Sequence, residues 1–329
     1  MNVPDFLHTT IAPVLTAFHD DDAFDETSQR NLLDYMLSLG EIGAYFIRSG
    51  MGQMYAYSYD DVFRVSKICA AHLDGRAPWL LNCSGIWDGD RSVPTRPDPD
   101  VYMEQALAFQ RHAEDSDAAA VVHVLPEALL PVGRPFDIDQ AYPQYFESVC
   151  AETTLPVVIY QPPGMPANVN LTPQVLARLA GIPNLVGCKV SSRDGIYMFD
   201  LIRSIQGKDF HFITGTECLF FATLYAGSRG VIGVGSNLFP RVLNVLRQRF
   251  LDGDRDGVLE AQESVNRLFH ACPYARITMK RLATDGGYPV GLAYRGGGAN
   301  PYGDEGLPCT DENYQAYKHL LERELAKYA

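Results

Sequence analysis

The strongest constraint on the fold of this chain is an alternation of strand and helix patterns that repeats eight times. Each repeat joins a short apolar run, rich in β-branched residues, to an amphipathic segment with helical periodicity. The predicted strands cover residues 9–18, 44–50, 78–85, 118–126, 156–163, 185–192, 210–216 and 229–235. Strands that are apolar on both faces are typical of a parallel sheet covered by helices.

Eight such units occupy about 250 residues, the usual size of a closed barrel. We therefore predict an α/β fold, a (β/α)8 TIM barrel over residues 1–253 with a helical C-terminal extension over 254–329 packed on it. A doubly wound open sheet would place a glycine-rich phosphate loop after its first strand. The corresponding segment, TAFHDDDAFDE (16–26), contains no glycine.

Two long loops interrupt the regular pattern. The polar segment 86–100 follows the third predicted strand, and a glycine-rich segment covers 291–306 between helices of the extension. In a barrel, the first loop would hang over the C-terminal face, where active sites are built. We expect both loops to shape the choice of substrate.

The charge balance excludes two classes of partner. The formal net charge is −13, whereas binding to nucleic acid or to anionic lipid requires a basic face. The seven cysteines are scattered and odd in number, which favours reduced thiols and a cytoplasmic location. We expect a small-molecule substrate and neither a nucleic-acid nor a membrane partner.

A lysine lies within the apolar sixth strand, in NLVGCKVSS (184–192). Lys189 could be a structural cation in a buried ion pair. Alternatively, burial would lower its pKa and make the free amine a Schiff-base nucleophile. Tyr160 ends the fifth strand and could move protons beside that amine, although it could equally be a core aromatic residue.

The two segments around these residues resemble those of a known superfamily. VVIYQPPG (157–164), followed by NLVGCKVSSRD (184–194), is similar to the paired tyrosine and lysine motifs of the dihydrodipicolinate synthase/N-acetylneuraminate lyase superfamily. Residues 9–28, 227–240 and 251–268 also resemble its first strand, its eighth strand and the first helix of its extension.

The resemblance implies a class I lyase or aldolase that acts on pyruvate or a related 2-oxo acid. Lys189 would form the Schiff base and Tyr160 would be the proton relay, with neither a metal nor an organic cofactor. The resemblance also implies a homotetramer or homodimer. We predict that the substrate-binding residues are Ser49, Gly50, Met51, Gly52, Gln53 and Gly233.

Three positions depart from the family pattern. The family's G-T-T-G-E segment corresponds to residues 49–53 here, which lack both threonines. Its Pro-Tyr-Tyr segment is replaced by Pro126, Glu127 and Ala128, and an arginine of the synthase branch is replaced by Met165. The distal carboxylate of the synthase's aldehyde substrate would lose its partner. We therefore predict a lyase, aldolase or dehydratase other than a true dihydrodipicolinate synthase.

Other hypotheses stay open at this point. A non-catalytic barrel that binds a metabolite, or serves in regulation, would explain the altered segment 49–53. A metal-dependent lyase would need ligands at strand ends, where His123 and Glu217 lie. We interpret His123 as a core residue. A calcium-loop pattern over 252–263 is interpreted instead as the start of a helix.

Overall fold

Eight parallel strands form the centre of the molecule. The computed structural model describes residues 3–93, 95–133, 135–295 and 307–329. The strands follow one another around the sheet in sequence order. They are β1 (Ile11–Pro13), β2 (Ala44–Ile47), β3 (Trp79–Asn82), β4 (Ala120–Val124), β5 (Val157–Gln161), β6 (Leu185–Val190), β7 (His211–Thr214) and β8 (Gly230–Val231). This is the predicted (β/α)8 barrel, and its strand residues are all buried, as parallel strands covered by helices require.

The first and last strands are shorter than the sequence predicted. Within the apolar run 9–18 only Ile11–Pro13 form a strand, and within the run 229–235 only Gly230–Val231 do. A parallel bridge between Thr10 and Val231 joins the two ends of the sheet and closes the barrel.

Helices surround the barrel and form the extension. They are α1 (Glu26–Ser38), α2 (Tyr59–Leu73), α3 (Pro99–Asp115), α4 (Ile138–Ala151), α5 (Pro173–Leu179), α6 (Gly195–Ser204), α7 (Phe220–Ala226), α8 (Gly235–Leu238), α9 (Pro240–Leu251), α10 (Arg255–Ala271), α11 (Ala275–Asp285) and α12 (Asp311–Leu325). Side-chain caps fix many starting points; Asp25, for example, accepts the N–H of Ser28 at the start of α1.

Two apolar layers make up the core. Phe46, Val122, Tyr160 and Ile213 belong to the inner layer, which fills the barrel. A larger outer layer lies between the strands and the helices. Because successive strand residues point to opposite faces, each of β1 to β7 supplies both layers.

The C-terminal extension packs on the barrel through its helices. α10 packs against α9 and α12, and α11 packs against α1. Arg276, near the start of α11, donates hydrogen bonds to the backbone carbonyls of Gly50 and Met51. The predicted boundary between 253 and 254 falls in the turn between α9 and α10, but residues 296–306 of the predicted glycine-rich loop lie outside the described residues.

Candidate active site

The lysine and tyrosine predicted from the sequence lie side by side inside the barrel. β5 and β6 are parallel neighbours, and Tyr160 is the register partner of Lys189. Cys188 and Val190 point into the outer layer, so Lys189 between them points inward. The Lys189 Nζ atom lies 4.1 Å from the centroid of the Tyr160 ring and 6.0 Å from that of Phe46.

Lys189 is 3% exposed. Burial lowers the pKa of Lys189 to about 7, although the carboxylate of Glu217 acts in the opposite direction. Among the residues that the structure describes, no carboxylate forms a salt bridge with this amine. The neutral and charged forms are therefore of comparable population near pH 7, and the neutral form is the nucleophile.

Glu217 is a second buried charge in the barrel mouth. It follows β7 and is 1% exposed, and its carboxylate accepts the backbone N–H of Gly235 at 2.5 Å. A Cβ atom at Gly233 would lie 2.1 Å from its Oε2 atom, so a side chain there would displace the buried carboxylate. Burial raises the pKa of Glu217. The segment that follows β8 thus positions this carboxylate, through the backbone N–H of Gly235.

A cavity of about 780 Å³ opens beside Lys189. Its lining includes residues that follow β5, β6, β7 and β8, together with residues of α11. Cavities of this size are typical of small-molecule sites, and the C-terminal face is where barrel enzymes place their chemistry. Ser191 and Glu217 contribute polar atoms to the lining, and the Ser191 hydroxyl has no hydrogen-bond partner among the described residues.

The six predicted substrate-binding residues separate into two groups. Met51 and Gly233 line the cavity, whereas the other four, Ser49, Gly50, Gly52 and Gln53, are absent from its lining. The Ser49 hydroxyl donates to the Val14 carbonyl at 3.1 Å and accepts the Gly52 N–H at 3.0 Å. These two hydrogen bonds stabilise the turn and join it to the segment after β1.

The turn at 49–53 is bounded by two non-glycine residues in left-handed conformations. Arg48 has φ 55° and Gln53 has φ 61°, a region that costs free energy for residues with a Cβ atom. The buried Arg48 side chain donates to the carbonyls of Asn82, which ends β3, and Ser84, which follows it. The Gln53 amide donates to the carbonyl of Arg295. Long-range hydrogen bonds therefore stabilise this turn.

Three arginines line the cavity: Arg91, Arg193 and Arg276. None of them was predicted from the sequence as a site residue. Arg91 belongs to the long loop after β3. Its Nε and Nη2 atoms donate to the two carboxylate oxygens of Glu127, at 2.6 and 2.9 Å. The predicted position of that loop was a usable signal for Arg91. No local pattern marks Arg276, because its place depends on how α11 packs over the barrel.

Other candidate residues lie away from the cavity. His123 points into the outer layer, where its Nδ1 atom lies 2.9 Å from the Tyr145 hydroxyl, and burial lowers the pKa of His123 to about 3. This confirms its interpretation as a core residue. Asp254 caps α10 by accepting the N–H of Gly257, which confirms the helical interpretation of 252–263. The described residues contain no group of three or more His, Cys, Asp or Glu side chains suited to a metal ion.

Comparison with known proteins identifies the family. A family model, the dihydrodipicolinate synthetase family, matches residues 101–297. The 4-hydroxy-tetrahydrodipicolinate synthase of Methanothrix thermoacetophila is 26% identical over 315 residues, 94% of each chain. The chain therefore belongs to the dihydrodipicolinate synthetase family.

Solved structures share the fold at low sequence identity. YagE of Escherichia coli K12, solved in complex with pyruvate, aligns with a TM-score of 0.74 and 21% identity over 98% of this chain and 99% of that one. N-acetylneuraminate lyase of Mycoplasma synoviae aligns with a TM-score of 0.76 and 15% identity over 98% and 99% of the two chains. In the part of this chain that the structure describes, no helix has the length and apolarity needed to cross a bilayer.

Proposed function

We propose that this protein is a class I lyase or aldolase whose Lys189 amine forms a Schiff base with pyruvate or a related 2-oxo acid. The observation that carries the proposal is the buried Lys189 amine beside the Tyr160 ring in a closed barrel, at the edge of a cavity large enough for a small acid. The pyruvate in the related YagE structure supports the choice of ligand.

The chemistry follows from the neutral amine. Its lone pair attacks the keto carbon of the acid and forms a carbinolamine, which loses water to give an iminium ion. The iminium withdraws electrons from the neighbouring carbon. Cleavage of the next carbon–carbon bond releases a carbonyl fragment and leaves an enamine, and loss of a proton from the neighbouring carbon gives an enamine as well. The enamine then takes up a proton, or adds to an aldehyde in the synthetic direction, which restores an iminium. Water hydrolyses that iminium and frees the 2-oxo acid and the Lys189 amine. Tyr160 is the proposed proton relay for the loss of water.

We further propose that the acceptor differs from that of 4-hydroxy-tetrahydrodipicolinate synthase. Met165 lines the cavity with an apolar side chain where the synthase branch has an arginine. A carboxylate placed beside it would be desolvated without a partner, which is unfavourable. In a coupled assay with pyruvate and the synthase's aldehyde substrate, we expect no product under conditions in which pyruvate alone forms an adduct.

Trapping with cyanoborohydride tests the Schiff base. Incubation with pyruvate should add the reduced pyruvate group to Lys189, as peptide mass spectrometry would show. Lys189→Arg should give no adduct, because a guanidinium stays protonated. Lys280→Arg is the matched control, since Lys280 is also buried and has a pKa lowered by burial, but lies outside the cavity lining. If a panel of 2-oxo acids gives no adduct at Lys189, the Schiff base is excluded and the non-catalytic binding hypothesis is favoured.

A further inference from the structure

Arg276 is a buried cation that no part of the proposed mechanism uses. It is 3% exposed and lines the same cavity as Lys189, although it belongs to α11 in the C-terminal extension. A guanidinium remains charged at any physiological pH. Burying such a charge is costly unless an opposite charge compensates it.

The described residues do not supply that compensation. Arg276 donates to the carbonyls of Met51 at 3.1 Å and Gly50 at 3.4 Å, and to the Tyr274 hydroxyl at 3.1 Å. All three acceptors are neutral. No salt bridge to Arg276 occurs among the described residues. A guanidinium has five N–H donors, so these three bonds leave donors available for a ligand.

Arg276 lies beside the 49–53 turn, which lacks free hydroxyl groups that could bind a carboxylate. The Ser49 hydroxyl is occupied by the backbone groups of Val14 and Gly52, and residues 50–52 contribute no side-chain hydroxyl. Arg276 contacts this turn at two carbonyls and shares the cavity lining with Met51. A positive charge is therefore placed where the turn has lost neutral donors.

The other charged side chains considered in the cavity are paired, acidic or exposed to solvent. Arg91 is held by both oxygens of Glu127, and Glu217, being acidic, would repel an anion. Arg193 is exposed, so solvent screens its charge. Arg276 thus combines burial, available donors and an uncompensated charge.

We propose that Arg276 binds the carboxylate next to the keto group of the 2-oxo acid and replaces the hydroxyl groups that the turn lacks. The inference rests on the proposed Schiff base at Lys189, because that bond fixes the keto carbon in the same cavity. Arginine suits this role, since its planar donors match the two oxygens of a carboxylate.

The test compares a 2-oxo acid with a ketone of similar size that has no carboxylate. Cyanoborohydride-trapped adducts at Lys189 are quantified with pyruvate and with hydroxyacetone over a range of concentrations. For Arg276→Gln we expect the half-saturating pyruvate concentration to rise by roughly 10- to 150-fold, the range for a hydrogen bond to a charged group. Adduct formation with hydroxyacetone should be unchanged within about twofold, and Arg276→Lys should restore part of the pyruvate affinity.

Arg281→Gln is the matched control. It removes the same charge from the same helix, but Arg281 binds Asp311 on the surface and lies outside the cavity lining. It should leave both saturation curves unchanged. Melting temperatures of all variants show whether each chain is folded, and Arg276→Lys keeps the comparison usable if Arg276→Gln is unstable.

Several outcomes would overturn the inference. Equal losses with pyruvate and hydroxyacetone would show that Arg276 acts only by supporting the turn. A loss confined to 2-oxoglutarate, which carries a second carboxylate, would place Arg276 at the far end of the substrate. An unchanged pyruvate curve for Arg276→Gln, alongside normal trapping by the wild type, would reject the inference but leave the proposed function intact. If the wild type traps no 2-oxo acid, the proposed function itself fails.

Discussion

The wall formed by β5 and β6 and the turn at 49–53 are built in different ways. In the wall, Tyr160 and Lys189 are brought together by strand register, because neighbouring parallel strands hold their partners side by side. In the turn, the polar groups bind one another and the backbone, and the available cation comes from α11. A sheet can place reactive groups by local regularity, whereas a loop depends on distant contacts.

The largest effect is expected in the β5–β6 wall. Tyr160→Phe should slow pyruvate adduct formation at saturating pyruvate by about 10²- to 10⁴-fold, the range for loss of a general acid–base group. The rate of trapping at Lys189 measures this. Tyr45→Phe is the control, since Tyr45 is a buried tyrosine of β2 in the outer layer. If both variants react at the wild-type rate, Tyr160 is a packing residue.

The pH dependence of adduct formation tests whether burial in the β5–β6 wall makes Lys189 reactive. Because burial lowers the pKa of Lys189 to about 7, the amine is mostly neutral above that pH and mostly protonated below it. Adduct formation should fall by about tenfold for each pH unit below the pKa and reach a plateau above it. The amount of adduct trapped in a fixed time, measured over a series of pH values at constant ionic strength, gives this profile. An inflection near the ordinary lysine value of about 10.4 would show that burial does not tune this amine.

The close approach of Gly233, which follows β8, to Glu217 predicts a large change in stability. A Cβ atom at 233 would lie 2.1 Å from the Glu217 carboxylate, so Gly233→Ala should lower the free energy of unfolding by about 3 kcal/mol, the upper part of the usual range for overpacking. Gly195→Ala is the control, because its Cβ atom would meet nothing within 4 Å. That change should stay within about 1 kcal/mol. Equal denaturant midpoints for the two variants would contradict the packing argument.

The smallest effect is expected at the turn. Ser49→Ala removes the acceptor of the Gly52 N–H and the donor to the Val14 carbonyl, which should cost about 1–2 kcal/mol of stability. Thermal denaturation measures that loss. We expect the half-saturating pyruvate concentration to change far less than in Arg276→Gln. A large loss of pyruvate affinity without a loss of stability would instead make Ser49 a substrate contact, as the sequence predicted.

Most of the barrel wall could be predicted, but the details of the turn could not. The apolar strand around Lys189 and the position of Tyr160 on the preceding strand follow from the sequence pattern, whereas the pairing of the two residues in register was shown only by the structure. The ends of β1 and β8 were predicted too long, because an apolar run does not reveal where pairing stops. The Ser49 hydroxyl was predicted to bind the substrate because a hydroxyl group suits that role. In the structure, its hydrogen bonds to the Val14 carbonyl and the Gly52 N–H determine where it points.

The sequence by itself determined the eightfold strand–helix order and placed Lys189 and Tyr160 on consecutive strands, because those properties depend on local periodicity. Only the tertiary structure decided which charges share the cavity. Arg276 lies 87 residues after Lys189 in the chain. Packing of the extension places α11, and with it Arg276, at the barrel mouth. Electrostatic interactions depend on distance in space, and distance along the chain does not reveal it.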